Sequence, residues 1–171
     1  GKIGSLRIKK GWPSMFRKYL NMPQAYADKF HGEFYDTGDL AKMDEDGYFW
    51  FFGRNDDVIN TSGHLVGPFE VESCLLEMDE IVDVAVIGAP DEMLYQKIVA
   101  FVKLQPGVEW SKSLEVKCRI HVTNRLSPVA VPSEFQTTDL IPKNRSGKIM
   151  RRVLRARYLN EDEGDVSTME E

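Results

Sequence analysis

One lysine in this chain stands where a single positive charge could act on an anion. In Pro142-Lys-Asn-Arg-Ser-Gly-Lys-Ile-Met-Arg-Arg152, a Ser-Gly turn exposes Lys148 at a loop tip just before a helix. An ammonium on a long stem can meet a phosphoryl oxygen or a carboxylate. The plainer reading is a solvated lysine ahead of a basic amphipathic helix. A P-loop is excluded, because the glycine required five residues before Gly147 is absent.

Two further stretches carry chemistry of other kinds. In Phe34-Tyr-Asp-Thr-Gly-Asp39, Asp39 follows a glycine turn at a strand start, a place from which a carboxylate can grip vicinal hydroxyls such as those of a ribose. The alternative is a turn aspartate bonded to its own backbone. In Gly53-Arg-Asn-Asp-Asp57 and Ser62-Gly-His64, Gly63 permits close backbone approach by a ligand where a β-carbon would obstruct it. An ordinary β-turn is the alternative there. Arg54 reads equally as a ligand clamp or a domain-interface ion pair. His64 has no His or Cys partner at metal spacing, so no metal site is expected.

The elements that must hold these residues follow from patterning. Ile3 to Ile8 reads as a strand, Gln24 to Phe30 as a short helix after Pro23, and Phe34–Asp36 and Asp39–Met43 as strands around a Thr37-Gly38 turn. Asp44-Glu-Asp-Gly47 is a hairpin turn leading into the aromatic strand Tyr48 to Phe52. This antiparallel β unit, residues 1–55, reads as the end of a larger N-terminal domain. Gly53 to Asp57 reads as a linker or hinge.

Beyond it, Val58 to Thr61 and His64 to Val66 form a tight hairpin, and Pro68 opens a helix whose Val71, Leu75 and Met78 share one face. Ile81–Gly88 and Lys97–Leu104 are strands, and Ser111–Leu126 is a helix with Leu114, Cys118, Val122 and Leu126 at every fourth position. Glu134-Phe135 is extended, and Ile149–Leu159 is a final basic helix. The fold class expected is α+β, with a compact C-terminal domain over residues 56–160 and an acidic tail over 161–171.

Charge placement matters more than its sum of −5 over 171 residues. Lys143 to Arg157 holds seven bases and no acid, whereas Glu161 to Glu171 holds six acids and no base. Such a pair suits nucleic acid, phosphorylated small molecules, or a solvated helix with a neutralising tail. With 42% apolar and 29% charged residues the composition is that of a soluble globular protein. No apolar run approaches the ~18 residues of a membrane span. Cys74 and Cys118 lie far apart in apolar helical patterns, which points to buried thiols and a reducing, cytoplasmic setting. The opening Gly1-Lys-Ile-Gly-Ser has no signal-peptide core and reads as an excision from a longer chain. Met169-Glu-Glu is no peroxisomal address.

Taken in this order and spacing, the three motifs resemble the C-terminal signature of the AMP-forming acyl-CoA synthetases, within the adenylate-forming superfamily. Tyr35-Asp-Thr-Gly-Asp39 is similar to the ribose-binding motif. Gly53-Arg-Asn-Asp-Asp57 with Ser62-Gly-His64 and Glu70-Val-Glu72 is similar to the hinge and glycine loop, and Pro142 to Lys148 to the catalytic-lysine motif. The resemblance covers essentially the whole chain, and Gly67 to Ser73 and Ser146 to Arg152 look most like acetyl-CoA synthetases and short-chain relatives.

The resemblance implies that Asp39 binds the ribose of ATP or AMP, with Arg54 assisting at the nucleotide. It implies a hinge at Asp56, a pantetheine tunnel lined by Gly63 beside His64, and Lys148 meeting the carboxylate and α-phosphate during adenylation. ATP, Mg2+ and CoA are the implied cofactors and co-substrates, with ATP and Mg2+ bound mainly by an absent N-terminal domain, which is also an implied partner. A short-chain carboxylate such as acetate is the implied substrate. A lysine acetyltransferase and deacetylase acting on Lys148 are implied partners too. No membrane or nucleic-acid partner is expected.

Asn55 departs from the apolar residue of many members. Leu65 stands where some acetyl-CoA synthetases carry a phosphate-contacting arginine. No motif residue is matched to the CoA 3′-phosphate, for which Arg125 is the candidate. Because the phosphate loop and the adenine and acyl pockets lie upstream in this family, the 171 residues alone are expected to be inactive. Two rivals stand beside this reading: an adenylation domain loading a carrier-protein phosphopantetheine, and a nucleic-acid module using Lys143 to Arg157.

Overall fold

The computed structural model describes residues 1–170, which divide into two compact units, Gly1–Asp56 and a second from Asp57 onward. The first is a four-stranded antiparallel sheet with β3 (Phe34–Met43) at its centre. β1 (Gly4–Lys9) lies along one edge of β3, while β2 (Phe30–His31) and β4 (Phe49–Arg54) share the other. The short helix α1 (Pro23–Ala27) starts on a proline, whose fixed φ and missing N–H cost nothing at that position. Rings of Phe16, Tyr26, Phe30 and Tyr35 pack at 4.9–5.4 Å, edge-on or tilted.

The expected turn at Thr37-Gly38 is instead a bulge within one continuous strand. Ser5 pairs with Leu40 and Arg7 with Asp36, so Leu6 alone faces three residues of β3. Side chains absorb the surplus backbone. Asp36 Oδ1 accepts the Gly38 N–H at 2.8 Å, Thr37 donates to the Leu6 carbonyl at 2.9 Å, and Asp39 N–H donates to Thr37 Oγ1 at 3.1 Å. Gly38, at φ +78°, takes the left-handed conformation this bulge requires. The Asp44–Gly47 hairpin forms as expected: Asp44 accepts the Tyr48 N–H and, at 2.7 Å, the Trp50 indole N–H.

The second unit is α+β, as its alternating patterns require. β8 (Tyr95–Leu104) is the central strand, flanked along its length by β7 (Ile81–Asp91). On its other edge lie β5 (Ile59–Thr61), with its hairpin mate β6 (His64–Val66), and β9 (Glu134–Thr137), the only parallel pairing among the described residues. Both faces of β7 and β8 are apolar, because helices cover both. Val84, Val86, Ile98 and Ala100 meet α2 (Pro68–Leu75) and α3 (Lys112–Arg125) through Val71, Leu75, Cys118 and Val122. Ala85, Ile87, Val99 and Phe101 meet Ile141 and Leu154, the latter from α4 (Arg151–Leu159). Each wholly buried aliphatic side chain contributes about 1.5–3 kcal/mol of transfer free energy.

Both cysteines are free and buried, as expected. Burial pushes the Cys118 thiol up to about 11 and raises Cys74 as well. Leu126 departs from the expected α3 face. The helix stops at Arg125, and Leu126, with non-helical dihedrals at the cap, is 40% exposed. Ser111 caps α3 by accepting the Leu114 N–H at 3.2 Å. No helix among the described residues is long and apolar enough to cross a membrane.

Candidate active-site residues

Asp39, Arg54 and Asp56 come together in the first unit. Asp39 and Arg54 are register partners on β3 and β4. The Arg54 guanidinium spans three acceptors: Asp39 Oδ1 at 3.4 Å, Asp56 Oδ1 at 3.2 Å and the Thr37 carbonyl at 3.1 Å. Gly38 supplies the room, since a β-carbon there would lie 3.0–3.2 Å from the guanidinium atoms. The Asx bond belongs to Asp36, so the Asp39 carboxylate points to a cation rather than to its own turn. A carboxylate oriented by arginine on a strand edge can accept hydrogen bonds from paired hydroxyls. Nearby, burial pushes the Tyr35 phenol above its ordinary value, and Tyr19 adds to the effect.

Gly63, His64 and Lys148 belong to the second unit. Ser62 and Gly63, at φ 50° and 78°, form the two-residue turn between β5 and β6. The Ser62 N–H donates to the Leu94 carbonyl at 2.9 Å, which anchors the hairpin tip. A β-carbon at Gly63 would meet no heavy atom within 4 Å, so the space before it is open. His64 and Leu65 are exposed beside it.

Lys148 closes a small hairpin whose conformation is set by one side chain. Asn144 Oδ1 accepts from the Ser146 N–H at 3.1 Å, the Ser146 hydroxyl at 2.8 Å and the Lys148 N–H at 2.8 Å. The Asn144 N–H returns a bond to the Lys148 carbonyl at 2.9 Å, and Gly147 turns the chain at φ 78°. The backbone of Lys148 is thereby held while its side chain stays exposed. At the base of the hairpin, Lys143 pairs with Asp83 of β7 at 2.5 Å.

At the start of α4, Arg151 Nη2 meets Glu72 of α2 at 2.5 Å and its Nη1 meets Asp57 at 3.5 Å. Glu72 is buried, and its Oε1 also accepts the Val86 N–H at 2.8 Å. Asn144, Glu72 and Arg151 lie within the quoted motifs, yet their positioning roles were missed. An asparagine two residues before a Ser-Gly turn is the readable signal for such a brace.

The basic segment is largely engaged within the fold. Lys143, Arg151 and Arg157 form ion pairs, and Arg152 binds the Glu163 and Asp165 carbonyls. Arg145, Lys148 and Arg155 are the bases whose side chains have neither an ion pair nor a carbonyl partner among the described residues. Arg125 pairs with Glu77 at 2.7 Å. No group of three His, Cys, Asp or Glu side chains gathers for a metal among the described residues.

Residues 70–148 match the family model of the AMP-binding enzyme C-terminal domain. Acetyl-coenzyme A synthetase of Bacillus subtilis (strain 168) is 52% identical over 99% of this chain and 30% of its own length. The corresponding enzyme of Pasteurella multocida (strain Pm70) is 42% identical over 98% of this chain and 27% of its own. ATP-bound MatB from Rhodopseudomonas palustris superposes with a TM-score of 0.78 at 31% identity, over 92% of this chain and 31% of its own. The chain therefore spans about 30% of the length of the relatives it matches. The order of the three motifs, the α+β unit that holds the lysine hairpin and these similarities agree, and the chain carries an AMP-binding enzyme C-terminal domain.

Proposed function

We propose that the whole protein is an AMP-forming acyl-CoA synthetase that activates a short-chain acid, acetate being the first choice. The observation that carries this reading is the 52% identity with an acetyl-coenzyme A synthetase along 99% of the chain. In the first step a carboxylate oxygen attacks the α-phosphorus of ATP, the acyl-phosphate bond forms and pyrophosphate leaves. Two anions approach, and a preorganised Lys148 ammonium offsets the charge that develops on the transferring group. In the second, the CoA thiolate attacks the acyl carbon and AMP leaves.

Asp39 binds the ribose hydroxyls, and Arg54 orients that carboxylate at the nucleotide. Asp56, the last residue of the first unit, is the pivot about which the second unit turns. The turn presents Lys148 for adenylation and the open face of Gly63, beside His64, for pantetheine. Mg2+ accompanies ATP and is assigned to residues outside this chain. The compartment proposed is the cytoplasm, and acetylation of Lys148 would remove the charge the first step uses.

The test separates the half-reactions in the full-length enzyme. Lys148→Ala should lower ATP–pyrophosphate exchange by orders of magnitude and leave CoA consumption of supplied acetyl-adenylate intact. Gly63→Leu should show the reverse pattern. Full adenylation by Lys148→Ala would end the assignment.

A further inference from the structure

The acidic segment 161–170 does not trail into solvent. It folds back along α4 and returns to the hairpin that carries Lys148. The Arg145 N–H donates to the Thr168 carbonyl at 3.1 Å, and the Glu170 N–H donates to the Lys143 carbonyl at 2.9 Å. Asn144, whose side chain braces the Lys148 turn, is the bridge partner of Met169. The return path is fastened to α4 by two arginines. Arg152 binds the carbonyls of Glu163 and Asp165, and Arg157 grips the Glu163 carboxylate with two bonds of 3.0 Å. Gly164 makes the bend at φ +63°, and a β-carbon there would lie 2.7 Å from Arg152 Nη1. Asp162 and Asp165 accept from the N–H groups of Gly164 and Ser167 at 2.9 Å, which shapes the rest of the segment.

We infer that residues 161–170 are a positioning strap, which pairs with Lys143–Arg145 and holds the Lys148 hairpin in the geometry adenylation uses. The physical reason lies in the hairpin itself. Its two arms are joined by the Lys143–Ile149 bridge, by the Asn144 N–H to the Lys148 carbonyl and by the Met150 N–H to the Pro142 carbonyl. A two-armed hairpin this short with an exposed tip is marginal by itself, and its outer edge is left for another segment to pair. A third strand-like segment on its outer edge supplies the missing hydrogen-bond partners. Displacement of a reacting charge by about 1 Å can cost on the order of 100-fold in rate. No hydrogen bond joins the strap to Lys148 itself among the described residues, so its effect runs through Asn144 and the backbone.

This inference rests on the proposed role of Lys148, and the test keeps the two apart. In the full-length enzyme, three variants are compared: removal of residues 161 onward, Gly164→Leu, and Lys148→Ala as reference. The strap reading expects truncation and Gly164→Leu each to lower ATP–pyrophosphate exchange tenfold or more. Acetyl-adenylate consumption with CoA should stay within twofold, and KM for ATP should change little. In the full-length enzyme, amide hydrogen exchange at Arg145 should accelerate in both strap variants while amides of the β7–β8 core stay protected.

If Lys148→Ala abolishes exchange but both strap variants keep wild-type adenylation, the strap inference is overturned. An equal fall of both half-reactions, with core protection lost, overturns it as well, since that is loss of stability. If Lys148→Ala keeps full adenylation, the catalytic reading itself is what fails.

Discussion

Replacing Arg151 by methionine should be among the most damaging single changes in the second unit, and a second substitution should repair much of it. Arg151 and Glu72 are 15% and 6% exposed at their side chains, and they meet at 2.5 Å. Among the described residues, Arg151→Met leaves the buried Glu72 carboxylate with the Val86 N–H as its remaining hydrogen-bond partner. Removing one member of a buried pair costs about 3–5 kcal/mol. Glu72→Gln is milder, at about 2 kcal/mol. The amide still accepts from Val86, and Arg151 keeps Asp57 at 3.5 Å.

The pair Glu72→Gln with Arg151→Met removes both charges and keeps an acceptor for Val86. It should lose only about 1–2 kcal/mol, less than Arg151→Met alone. For a unit of this size each kcal/mol moves Tm by about 4 °C. Arg151→Met should therefore fall by about 12–20 °C, and the double variant by about 4–8 °C. Urea unfolding followed by circular dichroism, with m-values unchanged, is the assay. A double variant as unstable as the sum of its singles, or Arg151→Met losing under about 1 kcal/mol, would refute the reasoning.

Gly38→Ala should displace the Arg54 guanidinium, because the new methyl lies 3.0–3.2 Å from it at a backbone φ of +78°; weaker AMP binding by the full-length enzyme, with second-unit stability unchanged, is the readout. Glu134 is held down to about 2 by the Lys97 ammonium at 2.8 Å and the Tyr158 hydroxyl at 2.7 Å. Its contribution to stability is thus present above the ordinary glutamate value near 4.3 and lost as pH falls from there through about 2. Glu134→Gln should flatten that part of the acid-unfolding profile. Cys74 and Cys118 should both resist a thiol reagent in the native chain and react fully in guanidinium, since each is buried and each thiol is raised by burial.

Much of the framework was legible in the chain because it depends on local period and turn chemistry. Val71, Leu75 and Met78 at helical spacing are buried on one face, and Ser62-Gly63 makes the tight hairpin its neighbours require. Ser111, where the expected helix starts, is the cap of α3, whose first helical residue is Lys112. The Thr37-Gly38 stretch was misread as a turn, because a glycine at positive φ serves a turn and a bulge equally. Only the pairing of β3 with β1 on one edge and β4 on the other decides between them.

What the sequence determined by itself was the chemistry on offer: an exposed lysine after Ser-Gly, a carboxylate after Thr-Gly, and a glycine tip free of a β-carbon. Tertiary structure decided which charges act and which only brace. Lys143, Arg151, Arg152 and Arg157 read from the chain as one basic stripe with Lys148, yet the fold gives them carboxylate or carbonyl partners. The acidic segment read as a solvated neutraliser, yet it returns to pair with Lys143 and Arg145. These assignments rest on contacts between residues up to 79 positions apart. No local propensity or spacing encodes such partners, because an ion pair or a bridge is made by whichever groups the packed sheet and helices bring within reach.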